Sequence, residues 1–281
     1  MSDLLAKTRE ICHLFEIKPT RSKGQNFLIN EKIYNNIIAV SDLRPDDTIL
    51  EIGPGLGFLT TKLAQKVKRV VAVELDSKLA AYLQIGLDSR DIKNVEIINQ
   101  DILKFNLGAY IASEENYKIV ANLPYNITSI FLRLFLSGIH KPESLVLMLQ
   151  KEVAERISAS APDMSILAVS VQYYAEPKII QIVKAGNFWP EPEVDSAIIR
   201  LEVKPEKHSP AEEKIFFRIV KAGFSAKRKM LKNNLAGGLR IEPDIVNKIL
   251  AEKGFNIKAR AEELTLLDWQ KLVAALHLFV V

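Results

Sequence analysis

The sequence of 281 residues contains very little cysteine and histidine. A single Cys12 excludes an internal disulfide and a cysteine-based metal cluster. We interpret it as a small apolar helix residue rather than a catalytic thiol. The four histidines show no ligand spacing: His13, His140, His208 and His277. We therefore expect no structural or catalytic metal ion.

Long apolar runs are also missing. No run approaches the roughly 20 residues that are needed to cross a bilayer. The segment Met1–Lys7 has an early acid and lacks the hydrophobic region of a signal peptide. With 48% hydrophobic and 26% charged residues, the composition is ordinary for a globular protein. We expect a cytoplasmic monomer with no membrane partner.

Acidic residues are absent from one long segment. Between Lys214 and Arg240 there are eight Lys or Arg residues and no Asp or Glu, whereas the whole chain has a net charge of only +4. This pattern favours a polyanionic partner, and a solvated helix face is the alternative. The candidate phosphate contacts here are Lys227, Arg228, Lys229 and Lys232. If residues 226–236 are helical, these cations spread around the helix.

A glycine turn follows the first predicted strand. The apolar stretch 48–52 leads into Gly53, Gly55 and Gly57, and a helix is predicted from 58 to 66. Strand, glycine turn and helix in this order open a nucleotide-binding βαβ unit. Glycine is suited to such a turn because it adopts positive φ and lets the backbone approach a ligand closely.

Acidic residues lie at or just after the carboxyl ends of the next two predicted strands. Glu74 ends the strand 70–74, and Asp101 follows the strand 95–98. Open α/β folds bind ligands at the carboxyl ends of parallel strands. We therefore expect Glu74 to accept ribose hydroxyls and Asp101 to accept an adenine amino group.

The glycine turn alone fits a dinucleotide dehydrogenase as well as a methyltransferase. Glu51 favours the methyl donor S-adenosylmethionine, because an acid two residues before the glycines suits an ammonium better than a pyrophosphate. Pro54 removes an N–H that a phosphate could have used. No His or Lys at these strand ends stands out as a proton-handling group for hydride transfer. A tight structural turn is the remaining alternative.

The predicted strand 118–121 is followed directly by a conformationally restricted corner, Asn122-Leu123-Pro124-Tyr125. The residue before a proline is extended, and proline donates no backbone hydrogen bond. Asn122 Oδ1 and the Leu123 carbonyl could together accept both hydrogens of an adenine amino group, which promotes methyl transfer by positioning and electrostatics. A helix entry capped by Asn126 or Thr128 is a compatible structural interpretation.

An aromatic ring is needed to hold the base. The candidates are Tyr125 and Phe188, and the loop around Phe188 (Asn187-Phe188-Trp189-Pro190) looks too polar to be core. Stacking implies a single-stranded or flipped adenosine. Ordinary packing under the loop is the alternative for Phe188.

The polar segment 17–28 precedes the glycine turn in the chain. Its basic residues include Arg21 and Lys23, and Asn26 lies near its end. We interpret it as a loop that closes over the site and contacts RNA, with a solvated linker as the alternative.

The chain divides at the linker 204–210. We predict an α/β methyltransferase domain at 1–204 and a smaller all-helical, RNA-binding domain at 205–281. The helices predicted in the second domain are 211–224, 226–236, 242–253 and 265–278.

Five motifs in the same order resemble the ribosomal RNA adenine dimethylases over about residues 17–275. They are Gly24–Leu28, Glu51–Gly57, Asn122–Thr128, Asn187–Ser196 and Phe224–Leu235. The resemblance implies a Rossmann-like, seven-stranded methyltransferase sheet with a helical C-terminal domain. It also implies dimethylation of N6 on two adjacent adenosines in the 3′-terminal hairpin of small-subunit rRNA, within the immature small subunit.

Carried over by position, six residues would contact S-adenosylmethionine: Asn26, Leu28, Gly53, Glu74, Asp101 and Asn122. A large-subunit rRNA adenine methylase of the macrolide-resistance type shares this core, but the Phe224–Leu235 segment and the linker favour the small-subunit enzyme. A non-catalytic RNA-binding assembly factor is the alternative from another class. Intact Asn122, Glu74 and Asp101 argue against it.

Overall fold

A computed structural model describes residues 4–20, 25–205 and 208–280, and for Tyr125 it describes the backbone alone. The chain forms two compact units. The first comprises Met1–Ala154 and Glu176–Val203, and the second comprises Glu155–Ala175 and Lys204–Val281. The functional division into domains 1–204 and 205–281 stays a prediction.

The first unit is built on a seven-stranded mixed sheet. In chain order, the strands of the described residues are β1 (Phe27–Leu28), β2 (Thr48–Ile52), β3 (Arg69–Glu74), β4 (Val95–Asn99), β5 (Tyr117–Asn122), β6 (Ser144–Gln150), β7 (Ala175–Val183), β8 (Phe188–Trp189) and β9 (Ser196–Val203). The sheet order is β4-β3-β2-β5-β6-β9-β7, while β1 and β8 form a separate two-stranded ribbon. Strands β2 to β6 pair in parallel and β9 pairs antiparallel to β6. The predicted Rossmann-like sheet is thus confirmed.

Hydrophobic strand sequences explain the centre of this sheet. Ile49 and Leu50 in β2, and Val70 and Val71 in β3, are completely inaccessible to solvent. Continuous rather than alternating apolar runs are expected for parallel strands whose two faces are both covered. The central strands therefore hold the polar residues at their carboxyl ends rigidly.

Helices connect the strands and make up most of the second unit. Those of the described residues are α1 (Leu4–Leu14), α2 (Glu31–Val40), α3 (Phe58–Ala64), α4 (Ser77–Asp88), α5 (Thr128–Leu136), α6 (Lys151–Ile157), α7 (Ile166–Tyr174), α8 (Pro210–Gly223), α9 (Leu231–Leu239), α10 (Pro243–Glu252) and α11 (Leu266–Leu276). Polar caps start several of them. For example, Asn30 Oδ1 accepts a hydrogen bond from Lys32 N and caps α2.

Two features of the second unit differ from the sequence prediction. Helix α7 was not predicted, because its sequence is apolar almost all round and shows no amphipathic pattern. The predicted helix 226–236 is wrong at its start, since α9 begins at Leu231 and residues 226–230 form a turn. Three consecutive cations at 227–229 are unfavourable at a helix N-terminus, where the dipole is positive.

In the described ranges, no helix has the length and apolarity required to cross a membrane. Within the same ranges, no group of three or more His, Cys, Asp or Glu side chains is arranged to hold a metal ion. Cys12 is buried, and burial raises the pKa of its thiol. It packs in an apolar cluster with Ile11, Ile17 and Leu79, as expected for a small core residue.

Candidate active site

The glycine turn between β2 and α3 has the backbone conformation that only glycine adopts easily. Gly53, Gly55 and Gly57 have φ of 66°, 56° and 74°. Gly57 is constrained further, since a Cβ there would lie 2.3 Å from Leu83 Cδ1. These residues therefore shape a turn that passes close to the ends of the central strands.

Glu74, at the end of β3, is tied to this turn. Its Oε2 accepts a hydrogen bond from Gly55 N at 3.0 Å, and its Oε1 accepts one from Asp76 N at 2.9 Å. Burial raises the pKa of the Glu74 carboxyl, while these two backbone donors oppose the rise. Each carboxylate oxygen keeps a further lone pair, so Glu74 is able to accept additional hydrogen bonds.

Glu51 in β2 is more strongly perturbed. It is 1% exposed, and its Oε2 atom has no hydrogen-bond partner within the described part of the chain. Burial raises the pKa of Glu51 to about 8, the nearby Thr60 hydroxyl opposes the rise, and the Glu74 carboxylate adds to it. A buried carboxylate oxygen without a hydrogen-bond partner is costly, so this position favours a cationic ligand.

A cavity of about 190 Å³ opens where these residues meet. Most of the residues predicted to bind the cofactor or the target base line it: Asn26, Leu28, Glu51, Gly53, Gly55, Glu74, Asp101, Asn122 and Pro124. Asp101 Oδ1 accepts a hydrogen bond from Leu103 N at 3.0 Å, which fixes the carboxylate after β4. The structure thus brings together groups that lie up to 98 positions apart in the sequence.

The corner after β5 forms one wall of this cavity. Asn122 is half-buried, and its Nδ2 lies 3.5 Å from the Asn26 carbonyl oxygen. Its Oδ1 has no donor among the residues with described side chains. Leu123 is buried, its N–H donates to Met148 O at 3.2 Å, and it is not among the residues that line the cavity. A contact of its carbonyl oxygen with a base stays a prediction. The side chain of Tyr125, the other aromatic candidate, lies outside the described atoms.

The ribbon of β1 and β8 supports the part of the cavity wall that comes from the N-terminal segment of the chain. Leu28 pairs with Phe188 and Phe27 pairs with Trp189. Asn187 strengthens the ribbon, since its carbonyl accepts from Ile29 N at 2.8 Å and its Oδ1 accepts from Asn30 Nδ2 at 2.8 Å. This pairing fixes the segment that carries Asn26 into the cavity wall.

The premise that the loop around Phe188 is too polar to be core is wrong. Phe188 is 3% exposed and packs in the main apolar cluster with Leu28 and Met148. The alternation of β8 explains this, because Phe188 points inward while Trp189 stays half-buried. A base-stacking role for Phe188 stays a prediction, and it requires the ring to become accessible.

Several polar residues that line the cavity were not predicted, and two of them contact each other. Gln25 and Asp76 both line the cavity, and Gln25 Nε2 donates to Asp76 Oδ2 at 3.3 Å. Asp76 Oδ1 also caps α4 by accepting from Lys78 N at 3.0 Å. An Asp immediately before a helix is a recognisable capping signal. The contact of Gln25 has no local sequence signal.

The predicted RNA contacts lie in two places. Arg21 and Lys23 fall outside the described residues. In the second unit, Lys227, Arg228 and Lys229 are exposed in the turn before α9, and Lys232 is half-buried in the first turn of α9.

The fold and the cavity define a Rossmann-like methyltransferase that uses S-adenosylmethionine. The donor set fits this cofactor. Glu51 has a buried carboxylate oxygen without a hydrogen-bond partner in the described part of the chain, Glu74 keeps further lone pairs on its carboxylate oxygens, and Asp101 lines the same cavity. The family model for ribosomal RNA adenine dimethylases matches residues 17–277, and the chain belongs to that family. It is therefore an rRNA adenine dimethyltransferase, as predicted from its motifs.

Curated relatives agree with this assignment. The chain is 41% identical over 270 residues to a "Ribosomal RNA small subunit methyltransferase A" of Dehalococcoides mccartyi, covering 96% of this chain and 92% of the relative. A protein of the same name from Alkaliphilus metalliredigens is 39% identical over 274 residues, covering 95% of both chains.

Solved structures agree on the fold. The 23S rRNA methyltransferase ErmE is 29% identical with a TM-score of 0.73, covering 90% of this chain and 100% of ErmE. A dimethyladenosine transferase from Plasmodium falciparum superposes with a TM-score of 0.75 at 24% identity, covering 90% and 98% of the two chains. The second match supports the fold alone.

Proposed function

We propose that this chain dimethylates N6 of two adjacent adenosines in the 3′-terminal hairpin of small-subunit rRNA, within immature small ribosomal subunits. Relatives about 40% identical over nearly the whole chain, each named a small-subunit methyltransferase, support the choice of subunit. ErmE, named a 23S rRNA methyltransferase, makes the large-subunit substrate the second candidate. We further propose that the enzyme acts as a cytoplasmic monomer.

The observation that carries the proposed chemistry is the position of Asn122 on the same cavity as Glu51, Glu74 and Asp101. The N6 lone pair of adenine is delocalised into the ring, which makes this nitrogen a poor nucleophile. We infer that Asn122 Oδ1 and the Leu123 carbonyl accept the two N6 hydrogens and direct the lone pair towards the cofactor side of the cavity. This arrangement acts by positioning and by stabilising developing positive charge.

The cofactor residues have distinct proposed roles. S-adenosylmethionine, when bound, supplies an electrophilic methyl group. Glu51 pairs with its ammonium, Glu74 holds the ribose hydroxyls, and Asp101 accepts from the adenine amino group. Asn26, Leu28, Gly53 and Gly55 shape the walls of the cavity.

Phosphate contacts are proposed for six basic residues. Four belong to the second unit, namely Lys227, Arg228, Lys229 and Lys232, and the other two are Arg21 and Lys23 of the sequence segment 17–28. Base-edge specificity is not expected from these cations, since phosphate contacts position a nucleic acid without reading its sequence.

The activity test supplies S-adenosylmethionine and unmodified ribosomal subunits, and maps dimethyladenosine by reverse-transcription stops on both rRNAs. We expect two adjacent stops in small-subunit rRNA. Stops confined to large-subunit rRNA would support the second candidate. Modification of neither rRNA would favour a non-catalytic assembly factor.

The residue test compares Asn122→Ala with Asn106→Ala. Asn106 is an exposed asparagine that does not line the cavity. We expect Asn122→Ala to reduce turnover by about 10²-fold or more, the scale seen when one charge-stabilising group is removed, and to weaken cofactor binding by a much smaller factor. Asn106→Ala should behave as the parent enzyme. Full methylation by Asn122→Ala would disprove the central role of the corner.

A further inference from the structure

One side chain of the second unit is buried beneath the exposed basic turn. Asn234 in α9 is 4% exposed. Its Nδ2 donates to Gly223 O at 2.7 Å and to Ala226 O at 3.0 Å. The two carbonyls lie three residues apart, at the end of α8 and at the beginning of the turn that follows it.

These two bonds use both hydrogens of the amide. The last carbonyls of a helix have no partner within the helix, and burying them unpaired is costly. Asn234 provides the partner for Gly223 and also reaches past the helix end to Ala226. The same Ala226 carbonyl oxygen also accepts a hydrogen bond from Lys229 N at 3.1 Å. This oxygen is therefore bound both within the turn and by Asn234.

The far end of the turn is also anchored. Leu231 N donates to Ala259 O at 2.8 Å, and the Leu231 side chain is buried. The backbone from 223 to 231 is therefore fixed at both ends. Lys227, Arg228 and Lys229 project from it in exposed positions, without an acidic partner in the part of the chain that is described.

Cations on a fixed backbone lose less conformational freedom on binding than cations on a mobile loop. A buried amide that shapes the turn would thus influence RNA affinity without touching RNA. Its neighbour Asn233 is exposed in the same helix and has no such side-chain bonds in the described structure.

We propose that Asn234 is a positioning residue for rRNA: it holds the turn 224–230 in the conformation that presents Lys227, Arg228 and Lys229 to consecutive phosphates. This inference rests on the proposed function, because it assumes that these cations contact RNA. It goes beyond that function in assigning RNA affinity to a buried residue.

The experiment is a double-mutant cycle in the full chain. Its variants are Asn234→Ala, the triple variant Lys227→Ala, Arg228→Ala and Lys229→Ala, and the two combined, with Asn233→Ala as the matched control. Binding of a labelled small-subunit rRNA hairpin is measured between about 50 and 200 mM salt. KM values for RNA and for S-adenosylmethionine are measured alongside.

We expect Asn234→Ala to raise the KM for RNA about tenfold, with the KM for S-adenosylmethionine unchanged. The slope of log affinity against log salt should become shallower by about 1 to 2, and by about 2 to 3 in the triple variant. In the triple background Asn234→Ala should add almost no further loss, since residues that act through one another are not additive. Asn233→Ala should leave all these quantities unchanged.

Equal losses from Asn234→Ala in the parent and the triple background would overturn the proposal, as would an unchanged salt slope. If Asn234→Ala does not fold, Asn234→Ser retains one donor and should give an intermediate salt slope with normal cofactor binding. Failure of both variants to fold would also overturn it, since Asn234 would then support the fold rather than the turn. If the triple variant binds and methylates RNA normally, the RNA-contact part of the proposed function fails instead.

Discussion

The buried carboxyl group of Glu51 leads to a prediction about protons. In the free enzyme, burial and the Glu74 charge raise the pKa of Glu51 to about 8. At pH 6.5 about 3% of such a group is ionised, by the ordinary titration relation. If an ammonium of the cofactor pairs with Glu51, the carboxyl must lose its proton on binding. We therefore expect release of close to one proton per S-adenosylmethionine bound at pH 6.5.

The assay is titration calorimetry at pH 6.5 in two buffers with different ionisation enthalpies. The difference between the apparent binding enthalpies gives the number of protons released. Glu51→Gln keeps the size of the side chain but cannot ionise, so it should release almost none and bind more weakly. Binding without proton release in the parent enzyme would refute the pairing of Glu51 with the ammonium.

The same pKa shift makes the stability of the free enzyme depend on pH. Glu51 is protonated in the folded state up to about pH 8, whereas the carboxyl of the unfolded chain has the ordinary pKa of 4.5. The unfolded state therefore binds fewer protons between these values, and the free energy of unfolding falls as pH rises from 4.5 to 8. Glu51→Gln should reduce this decline in urea titrations across the range. An unchanged pH dependence would argue against the raised pKa.

Two predictions concern stability, with a matched control for each. Gly57→Ala places a Cβ 2.3 Å from Leu83 Cδ1 at a residue with a φ of 74°. In a urea titration it should lower the free energy of unfolding by about 1–3 kcal/mol or more. The control is Gly237→Ala, at a helical position where a Cβ would have no neighbour within 4 Å, and it should be neutral or stabilising. Lys118 Nζ lies 2.7 Å from Asp47 Oδ2 in a nearly inaccessible pair, so Lys118→Ala should cost about 3–5 kcal/mol. Lys93→Ala removes an exposed pair with Asp91 and should cost less than about 1 kcal/mol. Equal effects of the two glycine variants would contradict the argument from backbone conformation and close contact. Equal effects of the two lysine variants would contradict the argument from burial.

The sequence was most informative where a local pattern dictates the backbone. The apolar stretch 48–52, which predicted the first strand, has the same bounds as β2 in the structure. The three glycines predicted positive φ because no other residue adopts it easily, and all three have it. Acids at the ends of strands predicted a shared edge because parallel strands align their carboxyl ends, and these acids do line one cavity.

Long-range contacts explain what could not be predicted. The pairing of Leu28 with Phe188 joins residues 160 positions apart, and no local pattern reveals such a partner. Because of this pairing, Phe188 lies in the core and not in the polar loop that the sequence suggested. In the second unit, the Asn234 amide binds backbone carbonyls 8 and 11 residues earlier and holds a turn where helical periodicity alone predicted a helix.

The two-stranded ribbon also has a consequence for synthesis of the chain. A ribosome makes proteins from the N-terminus, so residues 26–28 emerge long before their partners at 187–189. Until those partners emerge, the segment that carries Asn26 lacks its backbone pairing and the cavity lacks one fixed wall. A nascent chain that ends before residue 187 already contains the residues of β2 to β6 and the polar residues at the carboxyl ends of these strands. We therefore expect tight capture of the methyl donor to begin only after the ribbon has formed, late in the synthesis of the first unit.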